Sequence, residues 1–335
     1  MPRPKLSVIV IAYNMARELP RTLRSLSPDM QIGIDPEDYE VIVVDNGSTA
    51  PLDEPACRRW LPSLVVHRID TDSPSPVAAI NHGLSMAQGD LIGVCIDGAR
   101  LASPGLLASA LRAAKLSDTP VIGTLGFHLG PDVQMKSVQA GYSQAREDAL
   151  LEEANWTEDG YHLFSISVLA ASSAKGWFLP IAESNALFLK REHWQALKGY
   201  DLRFQKPGGG LANLDTWRRA SELPEAEIIL LFGEGTFHQV HGGIATNSPR
   251  LMFWEFHDEY VAIRGKAFRP PSAPPLLVGR MPAQALPSVA WSAEQASRQL
   301  LTPRDGDGVG AERARSEHHR GRDSDEGPSP PGIRR

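Results

Sequence analysis

Seven residues near the start of the chain, Leu6-Ser7-Val8-Ile9-Val10-Ile11-Ala12, restrict the fold more than any other stretch. They hold one polar side chain and a run of four β-branched ones. A strand with one wet face alternates apolar and polar residues, and this run does not. It suits a strand covered on both faces, as in a parallel sheet with helices packed above and below. The residues that follow supply such a helix: Leu19, Leu23 and Leu26 share a face, with Arg21 and Arg24 off it.

The same alternation continues along the first half. Strands are expected at residues 40–44, 64–69, 90–96 and 120–127, and helices at 77–87 and 104–114. Pro104 stands at a helix start, where a missing N–H costs nothing. Strands alternating with helices predict a Rossmann-like, mostly parallel α/β sheet with helices on both faces. Further on, a helix is expected at 143–154, then an aromatic, loop-rich stretch at 156–177. A strand at 185–189, helices at 191–197 and 211–221, and two closing strands at 227–232 and 236–240 follow.

Pro270, Pro271, Pro274 and Pro275 break regular structure, and from residue 302 the only large aliphatics are Val309 and Ile333. The expected organisation is one domain over 1–262, a Pro-rich extension over 263–301 and a disordered tail over 302–335. The chain has 335 residues, 42% of them hydrophobic, which is enough for a sizeable core. A net charge of −6 gives no general pull towards nucleic acid. The two cysteines, Cys57 and Cys95, exclude a disulfide scaffold and a Cys-based zinc cluster. No run approaches the roughly 20 apolar residues of a membrane helix, and the opening lacks the longer apolar core of a secretory leader. A cytoplasmic protein without a transmembrane segment is expected, with peripheral membrane contact left open.

Ligands of open parallel sheets bind beyond the carboxyl ends of the strands. Three polar clusters fall there: Tyr13-Asn14, Asp45-Asn46-Gly47-Ser48 and Asp97-Gly98-Ala99-Arg100. Each alone is ordinary turn chemistry. Three at one sheet edge point to a site.

The ordered set SVIVIAYNMARELPRTLRSL, EVIVVDNGST, PVAAINHGLSMAQGDLIGVCIDGARLASPG and ESNALFLKREHWQALKGYDLRF resembles glycosyltransferase family 2, inverting enzymes of the GT-A fold, over roughly residues 5–260. The resemblance implies a single GT-A domain that moves a sugar from a nucleotide-diphosphate donor, such as a UDP- or GDP-sugar, to a hydroxyl acceptor on a glycan or small molecule. It implies that Ala12, Tyr13 and Asn14 lie under the nucleotide and that Asp45 receives a base N–H. Asn81 matches a motif whose arginine position holds Ile80. Asp97 matches the first acid of the Asp-x-Asp metal motif, whose second acid is replaced by Ala99. A hard divalent cation, Mn2+ or Mg2+, neutralises a leaving diphosphate, and Arg100 offers a guanidinium to the same charge. His238 and His241 are the candidate additional metal ligands. Their spacing of three on a strand would aim the rings apart, so one at most is expected to reach the metal. Asp215 matches the general base, although Leu214 replaces the glutamate before it. Glu183 and Asn185 match the acceptor side, with Trp156, Tyr161, Trp177 and Phe178 as candidates to stack on a sugar.

A dinucleotide-dependent dehydrogenase is excluded at the first strand–helix turn, which has no Gly-x-Gly-x-x-Gly. A sugar nucleotidylyltransferase lacks its glycine-rich phosphate loop here. The alternative reading is a catalytically degenerate GT-A domain that binds nucleotide, sugar or a partner, suggested by Ile80, Ala99 and Leu214.

Overall fold

A computed structural model describes residues 3–61, 63–95, 97–242 and 253–301. The expected tail, 302–335, lies outside them. In chain order the strands are β1 (Leu6–Ala12), β2 (Tyr39–Asp45), β3 (Val65–Arg68), β4 (Leu91–Cys95), β5 (Arg100–Ala102), β6 (Thr119–Leu129), β7 (Ser167–Leu169), β8 (Ala186–Lys190), β9 (Ala226–His238) and β10 (Leu276–Gly279). The helices are α1 (Leu19–Ser25), α2 (Glu54–Arg58), α3 (Val77–Met86), α4 (Leu106–Ala113), α5 (Gln134–Gln139), α6 (Gln144–Glu153), α7 (Arg191–Leu197), α8 (Ala212–Ser221), α9 (Phe253–Arg264) and α10 (Leu286–Leu301).

Every residue of β1 is buried. Successive side chains feed opposite layers: Leu6, Val8, Val10 and Ala12 pack with Leu19 and Leu23 of α1 and Leu106 of α4. Ile9 and Ile11 pack with Ile80 of α3, Trp194 of α7 and Trp217 of α8. Each such aliphatic side chain contributes about 1.5–3 kcal/mol by leaving water. The one polar residue, Ser7, is satisfied: its hydroxyl donates to Glu40 Oε1 at 2.5 Å and accepts the Gly89 N–H at 2.8 Å.

The sheet runs β10-β9-β6-β8-β4-β1-β2-β3, with β5 pairing β9 and β7 pairing β6 off that path. Along the path all neighbours are parallel except at β8, which is antiparallel to both β4 and β6. A mostly parallel sheet with helices on both faces therefore holds. The two closing strands expected at 227–232 and 236–240 are one strand, β9. Gly233, at φ +76°, bends it without ending it, and a register shift against β6 between Gly123 and Leu125 absorbs the bend. The loop-rich stretch contains a 3-10 helix, Gly160–Ile166, and β7.

The Pro-rich extension contributes β10, parallel to β9, and α10. Trp291 Nε1 of α10 donates to the Ala174 carbonyl at 2.7 Å, and Ser292 Oγ accepts the Trp177 N–H at 3.2 Å. Trp177, a candidate sugar platform, is fully buried and its Nε1 donates to the Leu231 carbonyl at 3.1 Å. It is a core residue. Among the described residues no helix is long and apolar enough to cross a membrane.

Candidate functional site

Three adjacent strands set the centre of the site. Arg100 of β5 lies opposite His238 of β9, and His238 lies opposite His128 of β6. Directly paired residues project from the same face, so these three cationic or titratable side chains form one row. The His128 and His238 ring centroids are 5.6 Å apart. Asp97 enters from the turn between β4 and β5. Its Oδ1 accepts the Ala99 N–H at 2.9 Å, which fixes the carboxylate, and its Oδ2 lies 2.8 Å from His238 Nε2.

His241 joins the same point. Its Nε2 is 3.4 Å from Asp97 Oδ2 and 3.1 Å from His238 Nε2. The expectation that only one ring could arrive assumed that the strand continued through both. β9 ends at His238, the chain turns, and both rings converge. The turn is pinned from three sides. The Gln239 N–H donates to the Ala99 carbonyl at 2.8 Å, and the Val240 N–H donates to Glu147 Oε2 at 2.8 Å. Arg17 Nη1 donates to the Val240 carbonyl at 3.2 Å.

The protons on this group follow from its partners. His238 Nδ1 faces the Gln134 carboxamide oxygen, which only accepts. The hydrogen therefore sits on Nδ1, and Nε2 turns a lone pair towards Asp97. Burial, with Arg100 nearby, pushes His238 down to about 4, so its ring is neutral. Burial opposes charge on His241 too, but Asp97 outweighs it and raises this histidine. Burial likewise opposes ionisation of Asp97, yet the neighbouring His241 holds its carboxyl well below the usual range. A lone pair, a carboxylate oxygen and a second imidazole nitrogen thus converge, with the three ligand atoms within 4.8 Å of one another. That donor set fits a divalent ion, and the imidazoles favour manganese over magnesium.

Among the described residues Arg100 has no hydrogen-bond partner at Nε or Nη1. Its charge is disfavoured by burial and supported by Asp97 and Glu183. A buried guanidinium with idle donors is a strong anion site.

A second cluster adjoins the first. The Gly98 N–H donates to the Ile11 carbonyl at 2.6 Å, which sets the Asp97 turn beside the end of β1, where Ala12, Tyr13 and Asn14 begin. Ala12, Asp45 and Arg68 are in register across β1, β2 and β3. Asp45 Oδ1 accepts the Ser48 N–H at 2.8 Å, and Oδ2 accepts from Arg68 Nη1 at 2.9 Å. Asn14, at φ +54°, accepts from the Thr49 N–H at 2.8 Å through Oδ1 and donates its own N–H to Ser48 Oγ at 2.9 Å. Tyr13 stands half exposed above this floor.

Two expected residues are engaged by other groups of the chain. The Asn81 amide is spent on the backbone of Tyr200, donating to its carbonyl at 2.8 Å and accepting its N–H at 2.9 Å. Asp215 is buried between Arg264 and Arg219. On the acceptor side, Glu183 accepts from Asn213 Nδ2 at 2.7 Å, and Asn185 Nδ2 packs against Gly126 of β6. Sequence reasoning missed His128, Gln134, Arg68 and Asn213. His128 was one residue beyond the strand expected at 120–127, and Arg68 sat inside the third expected strand.

Residues 7–169 match the family model described as Glycosyl transferase family 2. No curated protein matches the chain. Among solved structures it is similar to S. aureus TarS at 14% identity and TM-score 0.50, over 88% of this chain and 43% of that one. The chain therefore spans less than half of that TarS structure. It is also similar to S. aureus TarS 1–349 in complex with UDP, at 14% identity and TM-score 0.50, over 90% of this chain and 73% of that one. The same fragment in complex with UDP-GlcNAc matches at 15% identity and TM-score 0.50, over 88% and 73%. At such identities the likeness is one of fold.

Proposed function

We propose that this chain, whose residues 7–169 match the glycosyltransferase family 2 model and whose fold is like that of GT-A enzymes, transfers a sugar, with inversion, from a nucleotide-diphosphate donor to a hydroxyl acceptor. The observation that carries the reading is the convergence of Asp97, His238 and His241 beside Arg100, whose Nε and Nη1 have no partner among the described residues, next to the Asp45 floor.

The base and ribose would lie on Ala12, Tyr13 and Asn14, with a base N–H given to Asp45. Ser48 and Arg68 hold that carboxylate in place, and it retains lone pairs for a further donor. Uracil and guanine both present such an N–H. The diphosphate would then cross the row of Arg100, His238 and His128. Asp97 Oδ2, His238 Nε2 and His241 Nε2 would hold a divalent ion, which when bound offsets charge on the leaving phosphate. Arg100 supplies a fixed positive charge to the same oxygens, compensating in part for the neutral Ala99. Inversion follows if the acceptor oxygen attacks the anomeric carbon from the face opposite the diphosphate. Glu183 and Asn185 would line that side.

Calorimetry with UDP and GDP, with and without Mn2+, tests the reading. Binding should tighten with Mn2+, and Asp97→Ala should remove that gain without abolishing metal-free binding. Asp45→Ala should weaken nucleotide binding by about 1–3 kcal/mol, the cost of a charge-assisted hydrogen bond. A protein that binds neither nucleotide would sink the proposal.

A further inference from the structure

We propose that Glu183, rather than Asp215, takes the proton from the acceptor hydroxyl. The assignment rests on the glycosyl-transfer reading above and is decided by the first turn of α8. Successive helical residues are rotated by about 100°, so Asn213 and Asp215 face nearly opposite sides.

Asn213 faces Glu183. Its Nδ2 donates to Glu183 Oε2 at 2.7 Å and to the Ser184 carbonyl at 3.1 Å, and its Oδ1 accepts from the Tyr200 hydroxyl at 3.2 Å. Asp215 faces away. Its Oδ1 accepts from Arg264 Nε at 2.6 Å, and its Oδ2 accepts from Arg264 Nη2 at 2.6 Å and Arg219 Nε at 2.8 Å. Only 2% of Asp215 is exposed. Both its oxygens are committed to tying α8 to α9, and no room is left for an acceptor.

Glu183 has what Asp215 lacks. It is partly exposed, and its Oε1 accepts no hydrogen bond among the described residues. Its neighbour Ser184 is locked to β6, accepting the Thr124 N–H at 2.9 Å and donating to the Thr124 carbonyl at 3.0 Å. The carboxylate therefore stands on a rigid mount with one oxygen held by Asn213 and the other open. Arg100 has both Asp97 and Glu183 as acidic neighbours, which links Glu183 to the proposed diphosphate row. As the acceptor oxygen bonds to the anomeric carbon, its proton passes to Glu183 Oε1. The bond from that carbon to the diphosphate breaks, and its electron pair leaves on the phosphate oxygen. Glu183 then returns the proton to solvent.

Because water also serves as an acceptor, release of UDP or GDP from UDP- and GDP-sugars in Mn2+ buffer tests the assignment without a known acceptor. Glu183→Gln should lower turnover about 100-fold or more while UDP or GDP affinity stays within threefold. Glu183→Asp, which keeps a carboxylate, should recover part of the rate and the acid limb of its pH profile. Asp215→Asn should lower the melting temperature and cost less than tenfold in turnover. Glu183→Gln with a rate within threefold of the parent overturns the assignment and leaves the transfer reading standing. So does loss of turnover in a folded, nucleotide-binding Asp215→Asn protein. A parent chain that binds nucleotide but releases none from any donor also overturns the assignment. A parent that binds no nucleotide overturns both.

Discussion

Glu234 lies on β9, four residues before His238, and the hydrogen bonds its carboxyl group accepts among the described residues come from uncharged donors. Its Oε2 accepts from the Ser103 hydroxyl at 2.5 Å and the Gly105 N–H at 3.2 Å, and its Oε1 accepts from the Tyr161 hydroxyl at 3.0 Å. Burial pushes its carboxyl up to about 7, against an ordinary 4.5. Between those values the folded protein holds a proton that the unfolded chain has released. Its contribution to stability is therefore complete below about 4.5 and is lost as the pH rises towards 7. Glu234→Gln removes the titrating group. From pH 5 to pH 8 the variant should gain on the parent by about 3 kcal/mol in urea unfolding, an order-of-magnitude figure. A difference that does not change with pH would show that Glu234 is ionised throughout. His238 moves in the opposite sense, because burial keeps it neutral where a free histidine is charged. Only the comparison of variant with parent isolates Glu234.

β8 is the one strand that runs against its neighbours along the main path, and its fit to β4 is tight. Gly93 of β4 lies opposite Phe188 of β8, and a methyl group at residue 93 would come within 2.4 Å of that ring. Gly93→Ala should cost about 1–3 kcal/mol by overpacking. A melting temperature unchanged by the substitution would mean that the two strands are free to separate. Strands of this kind were legible in the sequence where both faces are covered: β1, β2 and β4 each read as a continuous apolar run. Helix α7 was legible at both ends, residues 191 and 197, because Gly199 follows it closely and Lys190 ends β8. β5 was not, since three residues carry no periodicity, yet it is β5 that brings Arg100 opposite His238. Gly233-Glu234-Gly235 read as a break because glycine pairs usually end a strand, whereas here they bend one. At the site, Asp97, His238, His241 and Arg100 could be named from the sequence. Their meeting point could not, because it depends on where β9 stops. Asp215 looked free in the sequence because its partner Arg264 lies 49 residues further along the chain.

At the scale of the molecule, the described elements form one sheet clad on both sides, and both cores run its length. The extension belongs to this body through β10, and α10 covers the loop that carries Trp177. The insertion of β8 between β4 and β6 also sets an order of assembly during synthesis. β4 is complete at residue 95 and β6 at 129, but the strand that joins them ends only at residue 190, and the other partner of β6 on the main path ends at 238. At about 5–20 residues per second, the ribosome takes roughly seven to thirty seconds to pass from the end of β4 to the end of β9. Throughout that interval apolar strand edges stand open, the condition that invites pairing with other chains. Ribosome-bound chains stalled near residue 180 should be digested readily and should recruit chaperones, whereas those extended until residue 301 has emerged should resist protease. Equal resistance at the two lengths would mean that the first four parallel strands close without β8. The Asp45 floor on β1 and β2 can therefore take shape while the ribosome is still making the strand that bears His238.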